Sequence, residues 1–152
     1  MSTTFSTDLG DQLCFALYAT SNAVTRFYRP HLKALGLTYP QYIAMRALWE
    51  EDGVTVTRLG ERLELDSGTV TPLLKRLEGA GLVRRQRDER DERRVFIFLT
   101  TQGAALEERT ADLPEKLACA MSMSAADVQN LIEKLDGVRL ELKKAAADSS
   151  QS

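Results

Sequence analysis

Leu13, Leu17, Val24 and Phe27 fall at helical spacing after polar Thr7 and Asp8, which predicts a first helix from about Leu9 to about Arg29. Pro30 disturbs or ends it, and Leu32 to Leu35 can add a turn before Gly36 stops the chain. Thr38-Tyr-Pro-Gln41 then has the form of an N-cap for a helix through Ile43, Leu48 and Trp49, closed by Asp52-Gly53. Two short amphipathic segments follow, from Thr55 to Leu63 and from Thr69 to Gly81, separated by the polar turn Glu64 to Gly68. Leu82 to Arg87 and Arg94 to Thr100 have the pattern of strands, the second alternating Val95, Ile97 and Leu99 against Phe96 and Phe98. Thr100 can cap a further helix from about Gln102 to Ala120, with a kink or restart at Pro114. Ser124-Ala-Ala-Asp127 opens a last helix with the stripe Val128, Leu131, Ile132, Leu135, Val138 and Leu142, and Asp148 to Ser152 is expected to fray.

Helix, tight turn, helix and hairpin in that order predict a mainly α fold with a small β-hairpin: a winged helix-turn-helix at about 40–100. The terminal helices, about 9–35 and 101–147, are long and apolar-striped and have little to cover within one compact subunit. A second copy is their expected partner, giving a C2 homodimer through N- and C-terminal dimerisation helices within a single domain spanning 1–152.

Composition narrows the chemistry. The chain has 152 residues, enough for one domain with a core. With 43% hydrophobic and 28% charged residues and no long apolar run, it has the balance of a soluble protein rather than a membrane one. Met1 to Leu9 lacks the basic start and apolar stretch of a secretory signal, so a reducing cytoplasmic location and free thiols are expected. Cys14 and Cys119 are the only cysteines and His31 the only histidine. That inventory gives no zinc site, and the sequence has no nucleotide-binding glycine loop and no G-x-S-x-G elbow, so neither a cofactor nor an enzyme is expected.

The charge is local. Between Arg84 and Arg94 stand six arginines (84, 85, 87, 90, 93, 94) against Asp88, Glu89, Asp91 and Glu92, in a chain of net charge −2. Phosphate binding depends on such a patch and not on the overall balance, because only charges near the DNA backbone release counterions. In a helix-turn-helix the second helix enters the major groove N-terminus first. Here that end carries Ser67, Thr69 and Thr71, with Lys75 and Arg76 one to two turns on. Small hydroxyl residues allow close approach, and the helix N-terminus favours phosphate. Taken singly, Ser67 and Thr69 are as well explained as caps and the arginines as a solvated face; the ordered set points to double-stranded DNA.

Asp91-Glu-Arg93 followed by Leu99-Thr100 resembles the D-x-R-x5-L-T wing signature of the MarR (multiple antibiotic resistance regulator) family. With Leu63 to Glu78 added, the chain is similar to the organic hydroperoxide resistance regulators, the OhrR type, from Asp11 to about Leu142. The resemblance implies that Arg93 enters the minor groove and that Asp91 holds it, with Arg85, Arg87 and Arg90 in the DNA-binding set. Asp88-Glu-Arg90 repeats the triplet, so either Arg90 or Arg93 can take the wing-tip role.

Cys14 lies in Leu13-Cys-Phe-Ala-Leu-Tyr18, and on composition alone is a small apolar residue. The resemblance implies a peroxide-sensing thiol with supporting tyrosines at Tyr28 and Tyr39, whose hydroxyls can donate to a thiolate. On one helix Cys14 and Tyr28 stand about 21 Å apart, so supporting tyrosines must come from the other subunit. Ordinary aromatic packing remains open for them. Cys119, otherwise a small core residue, matches the resolving cysteine of the two-cysteine class, which implies intersubunit Cys14–Cys119 disulfides.

The implied function is a repressor of a pseudo-palindromic operator, released when an organic hydroperoxide oxidises Cys14. An apolar pocket of Phe15, Phe27, Tyr28 and Tyr39 would favour organic over hydrogen peroxide. Three alternatives stay open: a repressor released by a small aromatic ligand, a thiol peroxidase, and an architectural DNA binder.

Overall fold

A computed structural model describes residues 6–150. The expected architecture is present, mostly helical with one small antiparallel sheet. The elements run α1 Leu13–Lys33, α2 Tyr39–Glu50, β1 Val54–Thr55, α3 Val56–Leu63, α4 Ser67–Gly79, β2 Val83–Arg87, β3 Val95–Leu99, α5 Thr101–Thr110, α6 Leu113–Ala120 and α7 Ala125–Ser149. The chain divides between Ala111 and Asp112 into two compact units. The first holds α1 to α5 and the sheet; the second holds α6 and α7.

Pro30 does not end α1. Its missing N–H would have bonded the carbonyl of Arg26, and both residues lie on the exposed face, where water can take that carbonyl. On the opposite face Tyr28 and Leu32 are buried, so the apolar anchor runs straight past the proline. Gly36 supplies the stop, with φ of 70° and the paired bonds Leu37 N–H to Leu32 O and Gly36 N–H to Lys33 O of a Schellman motif. At the other end a single 3-10 turn over Leu9–Asp11 replaces the expected first helical turn. Thr38 and Gln41 form the capping box of α2.

Two further differences from the expected elements, and the choice between two expected outcomes at Pro114, have local causes. The hairpin gains a third strand, because Val54 and Thr55 pair with Ile97 and Phe96 and make β3 central in the order β1-β3-β2. Two residues carry too short a pattern to signal a strand. Pro114 produces a restart, not a kink: it occupies the first turn of α6, where its lack of an N–H costs nothing. The last helix continues to Ser149, through part of the expected tail; Gln151 and Ser152 lie outside the described residues.

The core of the first unit is made by Met45 and Leu48 of α2, Leu59 of α3, Val70, Leu74 and Leu77 of α4, and Ile97 of β3. It fixes α4 against the sheet. Among the described residues no helix is long and apolar enough to cross a membrane.

In the single chain, α1 exposes Leu13, Phe15, Leu17 and Tyr18, and α7 exposes Leu131, Ile132, Leu135, Val138 and Leu142.

Candidate nucleic-acid interface and thiol site

Helix α4 begins where Asp66 caps it, accepting the Thr69 N–H at 2.8 Å. Asp66 therefore does what Ser67 or Thr69 could have done, and both of those are left exposed. At 3.6 residues per turn, the spacing of four then brings Ser67, Thr71 and Lys75 onto one face. At its far end α4 closes on Gly81, with φ of 75°, through Leu82 N–H to Leu77 O and Gly81 N–H to Glu78 O. This left-handed stop turns the chain directly into β2.

The wing is held in register from Val83 opposite Leu99 to Arg87 opposite Val95. Its tip is two Asx turns in succession. Asp88 Oδ1 accepts the Arg90 N–H at 2.9 Å, and Asp91 Oδ1 accepts the Arg93 N–H at 3.1 Å, so each Asp-Glu-Arg triplet makes the same local bond. Asp91 thus holds the backbone of Arg93 and not its guanidinium. Thr100 anchors the other end: its hydroxyl donates to Gly81 O at 2.6 Å and accepts from Gly103 N at 3.0 Å, capping α5.

Between α4 and the wing lies an open cleft of about 620 Å³. Ser67, Thr71, Lys75, Arg85, Arg87 and Arg93 line it together, and none of its lining residues is acidic. Thr55, Thr57 and Arg94 join them, so the N-terminal end of α3 also borders the cleft. Sequence reasoning counted Arg94 in the arginine patch without naming it as a contact, and missed Thr55 and Thr57; the paired hydroxyls of Thr55-Val-Thr57 at a helix start were the signal available. Among the described residues Lys75, Arg87 and Arg93 form no ion pair, whereas Arg85 meets Glu78 and Arg94 meets Asp88. Unpaired cations and two helix N-termini around one cleft give it a positive potential, chemically suited to an anion.

The remaining candidates stand apart from this cleft. Arg90 borders a second depression with Phe96 and Phe98, the outward residues of β3. Thr69, Arg76 and Asp91 are exposed but do not line the cleft.

Cys14 is exposed in the first turn of α1, and Cys119 is exposed in the last turn of α6 in the second unit. Neither is a buried core residue of the single chain. Because α1 is one helix from Leu13 to Lys33, Cys14 and Tyr28 stand about 21 Å apart along it. Tyr28 belongs to an aromatic cluster, its ring centroid 5.2 Å from Tyr39 and 5.5 Å from Tyr42, with Phe27 edge-on at 5.7 Å. Phe15, about 18 Å from Phe27 on the same helix, does not join the cluster within the chain.

Burial, reinforced by Tyr42 and Tyr39, pushes the Tyr28 phenol up to about 12; burial also raises those of Tyr39 and Tyr42. All three are protonated hydrogen-bond donors at neutral pH. Since the folded chain keeps the Tyr28 proton above its ordinary value near 10, this contribution to stability is fully present below pH 10 and is lost as pH rises towards 12. Thermal melts between pH 8 and 12 should show a steeper alkaline fall in wild type than in Tyr28→Phe. Parallel curves would remove Tyr28 as a source of that fall.

The MarR family model matches residues 37–95, which run from the end of the α1–α2 turn through the recognition helix and wing to the start of β3. The organic hydroperoxide resistance transcriptional regulator of Bacillus subtilis (strain 168) is 49% identical over 123 residues, 81% of this chain and 84% of that protein. Solved structures of AbfR of Staphylococcus epidermidis are 36% identical. Reduced AbfR bound to DNA superposes with a TM-score of 0.74 over 88% of this chain and 93% of that one. The disulfide-formed AbfR superposes with 0.63 over 86% and 91%. On this shared sequence and fold, the chain belongs to the MarR family of DNA-binding transcriptional regulators.

Proposed function

We propose that this regulator is a cytoplasmic repressor whose reduced homodimer binds a pseudo-palindromic operator and releases it when an organic hydroperoxide oxidises Cys14. The observation that carries the DNA-binding part is the acid-free cleft that joins Ser67, Thr71 and Lys75 of α4 to Arg85, Arg87 and Arg93 of the wing. Thr69, Arg76, Arg90 and Asp91 lie outside it and would act as accessory groups.

Dimerisation through helices at about 9–35 and 101–147 is supported by the apolar residues that α1 and α7 leave exposed. It would also resolve the distance along α1, since a second copy can bring its Tyr28 and Tyr39 to a Cys14 that its own chain cannot reach.

In the proposed chemistry the Cys14 thiolate attacks the distal peroxide oxygen. The O–O bond breaks, the leaving alkoxide takes a proton to become an alcohol, and Cys14 becomes a sulfenic acid, oxidised by two electrons. The Cys119 thiol of the other subunit then attacks that sulfur, forming the disulfide and expelling water. Exposure of both thiols supports this sequence, as does the name of the B. subtilis relative and the existence of AbfR in reduced and disulfide-formed states. Phe15, Phe27, Tyr28 and Tyr39 would form the apolar receiving surface.

The test is non-reducing electrophoresis before and after one equivalent of cumene hydroperoxide. Wild type should give a covalent dimer that is absent in both Cys14→Ser and Cys119→Ser, and Cys14→Ser should keep its operator bound. A second reading is release by a small aromatic ligand, favoured by a cavity of about 450 Å³ beside Tyr39, Leu37 and Arg29. A Cys14→Ser variant that still responds to the inducer would select it over thiol oxidation.

A further inference from the structure

Among the described residues, Arg85 is the cleft cation whose side chain is bound to an acid of the recognition helix. Glu78, in the last turn of α4, holds it twice: Oε1 accepts the Arg85 backbone N–H at 3.2 Å and Oε2 accepts its Nε–H at 2.8 Å. A carboxylate that engages both the main chain and the guanidinium of one residue fixes the strand and the side chain together. Only the Nε–H is consumed, so both terminal amines of Arg85 stay available to a phosphate.

We propose that Glu78 is a positioning residue for operator binding: it locks Arg85 in the phosphate-binding orientation and sets the wing against the recognition helix. The proposal rests on the reading of the cleft as the DNA surface. The side-chain freedom that a long arginine would lose on meeting a phosphate is already lost in the free protein. The Arg85 bonds hold the Glu78 carboxyl below the usual range, so the lock persists through neutral pH.

The sign of the effect separates this role from simple electrostatics. An acid beside a phosphate-binding cleft repels DNA, so its removal should strengthen binding if charge alone mattered. A positioning role requires the reverse.

The experiment uses the reduced full-length protein and a duplex that it selects from random-sequence DNA, with affinity followed by fluorescence anisotropy across a salt series. Glu78→Ala and Arg85→Ala should each weaken binding by about tenfold and lower the salt slope by about 1.8, two phosphates per dimer at about 0.9 each. The double variant should be no weaker than Arg85→Ala alone. Glu78→Gln, which keeps the shape and one acceptor, should fall between wild type and Glu78→Ala. Tighter or unchanged binding by Glu78→Ala overturns the proposal, as does a loss with an unchanged slope, which marks general destabilisation. Arg93→Ala is the control on the underlying reading: if it too leaves binding unchanged, the cleft is not the DNA surface; if only it loses affinity, the Glu78 role alone fails.

Discussion

Arg93→Ala is expected to weaken operator binding by about 30-fold or more, because about 1 to 3 kcal/mol is lost for a groove contact in each of two subunits. Arg90→Ala is expected to cost less than about threefold. The repeated Asp-Glu-Arg triplet makes the two arginines equivalent in local sequence, and the two Asx turns make them equivalent in backbone support. Their surroundings differ. Arg93 lines the cleft with Ser67, Thr71 and Lys75, while Arg90 borders the depression beside Phe96 and Phe98. Anisotropy titrations of both variants at one fixed salt concentration give the comparison. A larger loss for Arg90→Ala would reassign the wing tip to Arg90.

Gly103→Ala should be the most destabilising single-methyl change in the first unit. A Cβ there would lie 2.0 Å from the carbonyl oxygen of Leu82 and 2.9 Å from its carbonyl carbon, and both atoms are backbone. No rotamer change relieves such a contact; α5 must move away from the start of β2. That shift also pulls the Gly103 carbonyl from Trp49, whose Nε1–H donates to it at 3.0 Å, and loosens the Thr100 cap. The cost is expected to be about 3 kcal/mol, at the upper end for overpacking and a large share of a typical stability of about 5 to 15 kcal/mol. Urea unfolding followed by Trp49 fluorescence should show a lower midpoint with an unchanged slope. A loss below about 0.5 kcal/mol would mean that the backbone of α5 yields freely at this point.

The two variants separate binding from folding. Arg93 is exposed and unpaired among the described residues, so its removal should leave the urea midpoint where it is. Gly103 lines no part of the cleft, and its effect on operator binding should follow stability alone.

Element order and type were legible because the apolar periodicity changes where the elements change: 3.6 residues through α1 to α4, alternation in β3, and 3.6 again in α7. Caps were legible where a side chain acts on its own near neighbours, as Thr38 with Gln41 and Ser124 with Asp127 do. The misplaced boundaries depended on distant partners. Pro30 is tolerated because Leu32 is buried beyond it, β1 exists because Ile97 and Phe96 lie opposite, and Asp66 takes the cap that the hydroxyls on either side of Gly68 could have supplied.

The candidate site divides in the same way. Residue types at local spacing identified a recognition helix, an arginine wing and two thiols, because each is a property of a short stretch of chain. Which arginine shares a cleft with Lys75, that Glu78 holds Arg85 seven residues away, and that Tyr28 sits in a cluster with Tyr39 and Tyr42 were decided by the tertiary structure. Short stretches of chain set which chemistry the protein carries and in which order. The fold alone decided which groups meet, because strand register and helix rotation set side-chain neighbours through packing against residues far away in the chain.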